Sequence, residues 1–259
     1  MQYENIVFDV NDSVATIRLN RPKAYNALNS EVNAEILSAL DEIDADKSIR
    51  VLVLTGNEKA FAAGADIIEI ATAGPGLARE ICERAIAIND RLENMPVPTI
   101  AAVNGLAWGG GGEMAISCDF RIGGPSTSFR LPEVSFGIIP GANGTQRLLS
   151  LVGPAKAKEI IMLCQVIKGD KAYELGLLTR LVDDGDVLNE AYRLAEELKA
   201  LPGKALAAAK CAINAGALTT ISAGKITEFF EVCMLFDTHD QKEGMAAFTE
   251  KRTPEFKNC

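Results

Sequence analysis

Four glycines in a row, Gly109 to Gly112, stand between an apolar run and a carboxylate, and no other stretch narrows the architecture as much. The run Thr99–Val103 before them reads as a buried strand, and Glu113 to Ser117 after them reads as the start of a helix. Consecutive glycines leave backbone N–H groups unshielded and let a ligand approach the main chain closely. Strand, glycine turn and helix N-terminus together stabilise negative charge. A carboxylate at the mouth of such a turn is unexpected if the turn only holds phosphate. Glu113 points instead to a site where an oxyanion forms beside an acid/base group.

Charge and composition remove several classes. The 259 residues are 48% apolar and 24% charged, as in ordinary globular proteins. Lys and Arg total 26 against 35 Asp and Glu, a net charge of −9 that opposes non-specific nucleic-acid binding. The opening Met1-Gln2-Tyr3-Glu4-Asn5 lacks the basic-then-apolar pattern of a signal peptide. No apolar run reaches the roughly 18 residues of a membrane span. The six cysteines form no CxxC and read as thiols of a reducing compartment, which predicts a cytoplasmic protein. His239 is the only histidine, in a polar segment, and reads as a solvated helix residue. A His-based metal site or a Ser-His-Asp triad is therefore not expected, and no metal is predicted.

Ile6 to Val10 and Val14 to Leu19 predict a hairpin around Asn11-Asp12. Asn29 can cap a helix whose Val32, Ile36, Leu40 and Ile43 share one face. Val51 to Leu54 suits a strand covered on both sides. A helix over 77–92 and strands near 120–122 and 128–130 follow. Beyond Gly144 the chain reads as helices over 144–151, 154–163, 170–175, 187–198, 204–217, 222–236 and 240–251. Phe229, Phe230, Met234, Leu235 and Phe236 exceed what one helix buries on a small body, so subunit contact and core packing stand as equal readings.

Three glycine-containing patches carry the chemistry: 59–66, the turn with Glu113, and 131–133 continuing to 140–147. Two N–H groups from separate strand-end loops are what a thioester oxyanion hole requires. Alone, Glu113 in a first helical turn serves the macrodipole, and Glu133 after Pro132 sits in a surface loop. Together beside these patches, two carboxylates can share acid and base duties on one water.

These residues closely resemble the crotonase superfamily, in particular its enoyl-CoA hydratase branch. The matching stretches are Leu19 to Ala24, Ala62 to Asp66, Asn104-Gly105, Gly109 to Glu113, Cys118-Asp119, Pro132-Glu133, Gly137, Pro140 to Leu148, Glu243 to Phe248 and Glu250 to Arg252. They span essentially the whole chain, in order. The resemblance implies an α/β fold, the crotonase (ClpP-like) spiral of ββα turns, with a core over 1–195 and a C-terminal helical trimerisation region over 196–259. It implies reversible hydration of a short-chain 2-trans-enoyl-CoA, in fatty-acid β-oxidation or related acyl-CoA metabolism, by a homotrimer or a dimer of trimers. No cofactor is implied, because CoA is part of the substrate.

By the same resemblance Ala65 and Gly110 donate the oxyanion-hole N–H groups. Glu113 activates water for attack at C3, and Glu133 delivers a proton to C2. Gly141 adds a backbone N–H. Lys23, Ala24, Lys59, Ala63, Asp66, Ile67, Ile68 and Trp108 line the CoA and acyl groove, and Phe248 and Lys251 reach it from a neighbouring subunit. The chain departs from the family pattern at Trp108, Gly112, Ile68 and Asn143, where a small aliphatic, Cys, Lys and Gly are frequent. Trp108 is expected either to narrow the acyl pocket or to pack as a core aromatic. Glu at both 113 and 133 favours hydration over the alternatives: isomerisation, decarboxylation, or hydration of a branched or carboxylated enoyl-CoA. Some relatives bind RNA, and the net charge argues against that here.

Overall fold

A computed structural model describes residues 3–259; Met1 and Gln2, which open the stretch lacking a signal-peptide pattern, lie outside the described residues. Ile6–Asn11 (β1) and Val14–Leu19 (β2) pair antiparallel through Asp12 and Ser13, both at positive φ. Asn29 caps Ser30–Ala45 (α1) by accepting the Val32 N–H, and Val32, Ile36, Leu40 and Ile43 are buried as their spacing predicts.

The chain then repeats one unit three times. Val51–Thr55 (β3) and Ala60–Ala62 (β4) precede the helices Ile67–Ile70 (α2) and Pro75–Asn94 (α3). Thr99–Val103 (β5) and Leu106–Trp108 (β6) precede Gly110–Ser117 (α4). Phe120–Gly123 (β7) and Ser128–Arg130 (β8) precede Gly144–Met162 (α5). Ile167–Lys168 (β9), Gly169–Glu174 (α6) and Arg180–Leu181 (β10) complete the body. In each unit the first strand enters a six-stranded sheet, β1-β2-β3-β5-β7-β10, and the second enters a four-stranded sheet, β4-β6-β8-β9. This is the α/β crotonase fold, wound as successive ββα turns.

β3 and β5 are buried along their whole length because both faces of the large sheet are covered. Leu52, Leu54, Ala101 and Val103 face the main core with α1 and α3. Val51, Val53, Ile100 and Ala102 face Val187–Lys199 (α7) on the other side. The alternation along each strand assigns one residue in two to each layer.

The glycine run differs from the direct strand–turn–helix reading. β6 intervenes, and the helix begins at Gly110, so three of the four glycines are helical. Gly109 alone makes the turn, at φ 49° and ψ −129°, a conformation open to glycine and costly for other residues. Helix starts there despite glycine's low propensity because α4 packs against β4: a Cβ on Gly111 would overlap the Ala62 carbonyl. Gly153, at φ 74°, kinks α5 before Pro154, where the sequence divides it into two helices.

Gly203–Leu218 (α8), Ile221–Leu235 (α9) and His239–Glu250 (α10) follow. Phe229, Phe230, Met234 and Phe236 are 60–70% exposed, so the body does not absorb them. Core packing in this chain is thereby excluded as the role of these four, while Leu235 between them is partly buried. Among the described residues no helix is long and apolar enough to cross a membrane.

Candidate active site

Two loops converge at the end of the small sheet. After β4, the Gly64 carbonyl accepts the Leu28 N–H at 2.8 Å and the Asp66 N–H donates to the Leu28 carbonyl at 3.0 Å. This parallel bridge uses the groups flanking Ala65, so the Ala65 N–H points the other way. Gly110 opens α4, and the first N–H groups of a helix have no partner within it. A Cβ on Gly110 would lie 3.8 Å from the Ala65 nitrogen and 4.0 Å from Glu113 Oε2. Two N–H groups and a carboxylate therefore border one small space.

Glu113, 3% exposed, sits in the first turn of α4. Its Oε1 accepts the Ala142 and Gly144 N–H groups, each at 2.9 Å. That turn is held from behind by α3. Asn89 Nδ2 donates to the Ala142 carbonyl at 3.0 Å, and Arg147 Nη1 donates to it at 3.3 Å. Arg147 is itself gripped by Asp90 at 2.8 Å and Glu93 at 2.9 Å. Asn143, at φ 66°, donates from Nδ2 to the same Asp90 oxygen at 3.2 Å.

Glu133 opens the 3-10 turn Glu133–Phe136 that follows β8. A Cβ on Gly109 would stand 2.9 Å from its Oε1, so the two carboxylates lie over adjacent positions of the glycine run. Their electrostatics differ. Burial pushes Glu133 up to about 7, its own backbone N–H opposes this, and the charge of Glu113 adds to the rise. Burial also raises Glu113, but the Ala142 and Gly144 N–H groups and the Arg147 guanidinium work against it. Glu133 Oε2 is buried with no hydrogen-bond partner.

Both carboxylates open into a cavity of about 450 Å³, whose walls are largely apolar: Leu28, Ile70, Ile81, Met114, Phe136 and Ile139. A hollow of similar size, about 440 Å³, lies under α8 around the Asp119–Lys210 ion pair and includes neither Glu113 nor Glu133.

A model of the enoyl-CoA hydratase/isomerase family matches residues 9–259. The chain belongs to that family. It is 40% identical over 257 residues to the crotonyl-CoA hydratase of Syntrophomonas wolfei, with 99% of each chain covered. It is 40% identical over 260 residues to the short-chain-enoyl-CoA hydratase of Clostridium acetobutylicum, with 100% of both covered. A solved enoyl-CoA hydratase structure from Geobacillus kaustophilus superposes with a TM-score of 0.95 at 40% identity, covering 100% of both chains.

Of the positions singled out from the enoyl-CoA hydratase resemblance, Ala65, Ile67, Gly110, Glu113, Glu133 and Gly141 line the cavity. Others do not. Trp108, expected either at the acyl pocket or packed as a core aromatic, does not line the cavity: Ala107 faces the core, so the next side chain of β6 takes the opposite face. There its Nε1 donates to Ser128 Oγ at 3.1 Å and its ring lies 5.1 Å beneath the Arg130 guanidinium. Asp66 caps α2 through the Ile68 N–H and pairs with Arg21 at 3.1 Å, so its carboxylate is occupied by the fold. Ile68 is 86% exposed and lies outside the cavity.

Lys23, Ala24, Lys59 and Ala63 also lie outside it, but on one edge. The Ala63 N–H donates to the Tyr25 carbonyl at 3.0 Å, and buried Asn26 donates to the Ala60 and Phe61 carbonyls, tying the two segments together. Phe248 and Lys251, on and just after α10, are exposed and border no part of this chain's own cavity. His239 is half-exposed beside Asp240 and far in the chain from either carboxylate.

Residue-by-residue reasoning missed Asn33, Cys82 and Asn89, all of which line the cavity. Asn33 had a signal: a lone amide on the buried face of α1, between Val32 and Ile36. Cys82 and Asn89 gave none, since their helix spacing does not say what the face meets.

Proposed function

We propose that the protein is an enoyl-CoA hydratase, a hydro-lyase that adds water reversibly across the 2-trans double bond of a short-chain enoyl-CoA such as crotonyl-CoA to give the 3-hydroxyacyl-CoA. The observation that carries this reading is the meeting, in one cavity, of two free N–H groups and two carboxylates, one held by two backbone N–H groups and the other with a buried unpaired oxygen. The names of relatives at 40% identity support it.

The thioester oxygen lies between the Ala65 and Gly110 N–H groups, which stabilise the enolate that forms as water attacks. Each such donor contributes about 3–4 kcal/mol in comparable sites. Glu113, anchored through Oε1, takes a proton from water while the oxygen bonds to C3. Glu133, whose raised pKa keeps a proton on it near neutrality, delivers that proton to C2 as the double bond is lost. The pair holds one proton before and after, so the reverse reaction uses the same two groups with their roles exchanged. An isomerase moves a proton between carbons and needs no water-activating base. The two N–H groups dedicated to Glu113 favour hydration.

CoA enters as part of the substrate, its phosphates drawn to Lys23 and Lys59 in an otherwise acidic chain. The exposed aromatic face of α9 closes subunit contacts in a trimer or a dimer of trimers, and Phe248 and Lys251 complete a neighbour's groove. The C-terminal helical region over 196–259 serves that assembly. Cytoplasmic acyl-CoA metabolism is the setting. The test is a panel of enoyl-CoA thioesters hydrated by wild type, Glu113→Gln and Glu133→Gln. Loss of about 10²-fold or more in both variants is expected; near wild-type rates in both would refute the mechanism.

A further inference from the structure

The Ala65 N–H is the inner end of a series of hydrogen bonds that begins at a charge. Arg21 Nη1 donates to the Ala27 carbonyl at 2.6 Å. The same peptide unit carries the Leu28 N–H, which donates to the Gly64 carbonyl at 2.8 Å. That second peptide unit carries the Ala65 N–H. Both peptide bonds are trans, so in each unit the C=O and the N–H point in opposite directions. A cation therefore meets the outer end of the series, and the oxyanion-hole donor stands at the other.

Two features set this apart from an ion pair that only ties loops together. Arg21 Nη1 also reaches Asp66 Oδ2, but at 3.1 Å, so its shorter bond goes to the neutral carbonyl. Asp66 is itself fixed: its Oδ1 accepts the Ile68 N–H at 3.1 Å, and its own N–H donates to the Leu28 carbonyl at 3.0 Å. The carboxylate thus holds the guanidinium beside the Ala27 carbonyl. The second feature is an asymmetry between the two donors. Gly110 opens α4, so the helix dipole already polarises its N–H. Ala65 lies outside any helix, since α2 begins at Ile67. Gly64 before it, at φ 104°, adds no side-chain restraint on the peptide plane. Orientation and polarity of the Ala65 N–H must both come from what bonds to the carbonyl of its own peptide unit. Hydrogen bonds in series strengthen one another by roughly 10–30% per bond, and an ionised donor at one end makes the first bond stronger than a neutral one.

We propose that Arg21 is a positioning residue for the oxyanion hole: through the Ala27–Leu28 and Gly64–Ala65 peptide units it orients and polarises the Ala65 N–H towards the thioester oxygen. This rests on the hydratase reading.

The experiment compares wild type with Arg21→Gln, an uncharged donor, in crotonyl-CoA hydration and in binding of 4-dimethylaminocinnamoyl-CoA, an enoyl thioester whose absorbance moves to longer wavelength as its carbonyl is polarised. Arg21→Lys, which lacks the planar fork, carries the same comparison should the Gln protein fail to fold. Loss of a whole oxyanion-hole donor lowers kcat by about 10²–10³-fold, so weakening one at a distance is expected to lower kcat by about tenfold, with KM changed less than about twofold. The red shift of the bound probe is expected to shrink in the same variant. A merely structural role would lower the melting temperature and leave kcat and the red shift of the folded variant at wild-type values. That result overturns the proposal, as does a loss confined to KM. Wild type that binds the probe with a red shift but does not hydrate crotonyl-CoA would instead refute the hydratase reading, and the probe's shift in the variant would still decide the role of Arg21.

Discussion

Glu113 Oε1 accepts the Gly144 N–H at 2.9 Å, and a methyl group added to Gly144 would stand 2.5 Å from that same oxygen. The carboxylate is thus pinned by the backbone of α5's first residue, with no room for a side chain between them. Gly144→Ala keeps the N–H and displaces the acid. Hydration is expected to fall by about 10²-fold, the scale of a lost general base, with KM for the CoA thioester little changed. A variant with wild-type kcat would separate Glu113 from catalysis.

The pH profile follows from the shared proton. Glu133 titrates at about 7, and the active form carries one proton on the pair. kcat/KM should fall above about pH 7 as that proton is lost, and again at acid pH as the pair takes up a second proton, burial having raised both carboxyls. Hydration and dehydration should show the same alkaline limb, because both use the singly protonated pair. A kcat/KM flat from pH 7 to 9 in either direction would contradict the assignment.

The same shift has a consequence for stability. A carboxyl with a folded-state pKa above its unfolded value binds more protons when folded, so its contribution to stability is lost as pH rises from about 4.5 to about 7. Glu133→Gln removes that loss. The variant should gain stability relative to wild type at pH 8 compared with pH 4, read as the difference in melting temperature at the two values. An identical difference at both would place the raised pKa elsewhere.

Arg147 joins Asp90, Glu93 and the Ala142 carbonyl behind Glu113. Arg147→Ala leaves two carboxylates facing each other and frees the turn. A destabilisation of about 1–3 kcal/mol is expected, as for a polar network that loses its buried donor while its acceptors stay partly solvated. Activity at permissive temperature should fall through kcat rather than KM, and Arg147→Lys should restore stability more than rate. Denaturant melts and steady-state kinetics on both variants decide this.

Trp108 should be irrelevant to chain length. Trp108→Leu loses the stacking on Arg130, about 0.5–1 kcal/mol, while the ratio of C4 to C8 hydration stays within twofold or so of wild type. A marked change in that ratio would return Trp108 to the acyl pocket.

Much of the fold was legible because it rests on local patterns. The hairpin of β1 and β2, the Asn29 cap, the wholly apolar β3 and β5, and the kink at Gly153 are each written in a few neighbouring residues. The short strands β4 and β6 were not, since each lies beside a glycine-containing turn that dominates its local pattern and they pair with each other across about 45 residues of chain. The groove residues divided the same way. Asp66 and Trp108 sit in recognisable motifs, but an ion pair to Arg21 and the Arg130 guanidinium of β8 occupy them, and both partners come from other segments.

The sequence by itself determined which residues could do the chemistry: a glycine run beside Glu113, a second carboxylate at Glu133, and too few histidines or basic residues for the rival classes. Those are matters of residue type and order. Only the tertiary structure decided which oxygen of Glu113 is held, that Glu133 is left with a buried unpaired oxygen, and that Asn33 shares its cavity. Burial and hydrogen-bond partners arise when α1, α3, α4 and α5 pack around one space, and no single segment contains that information.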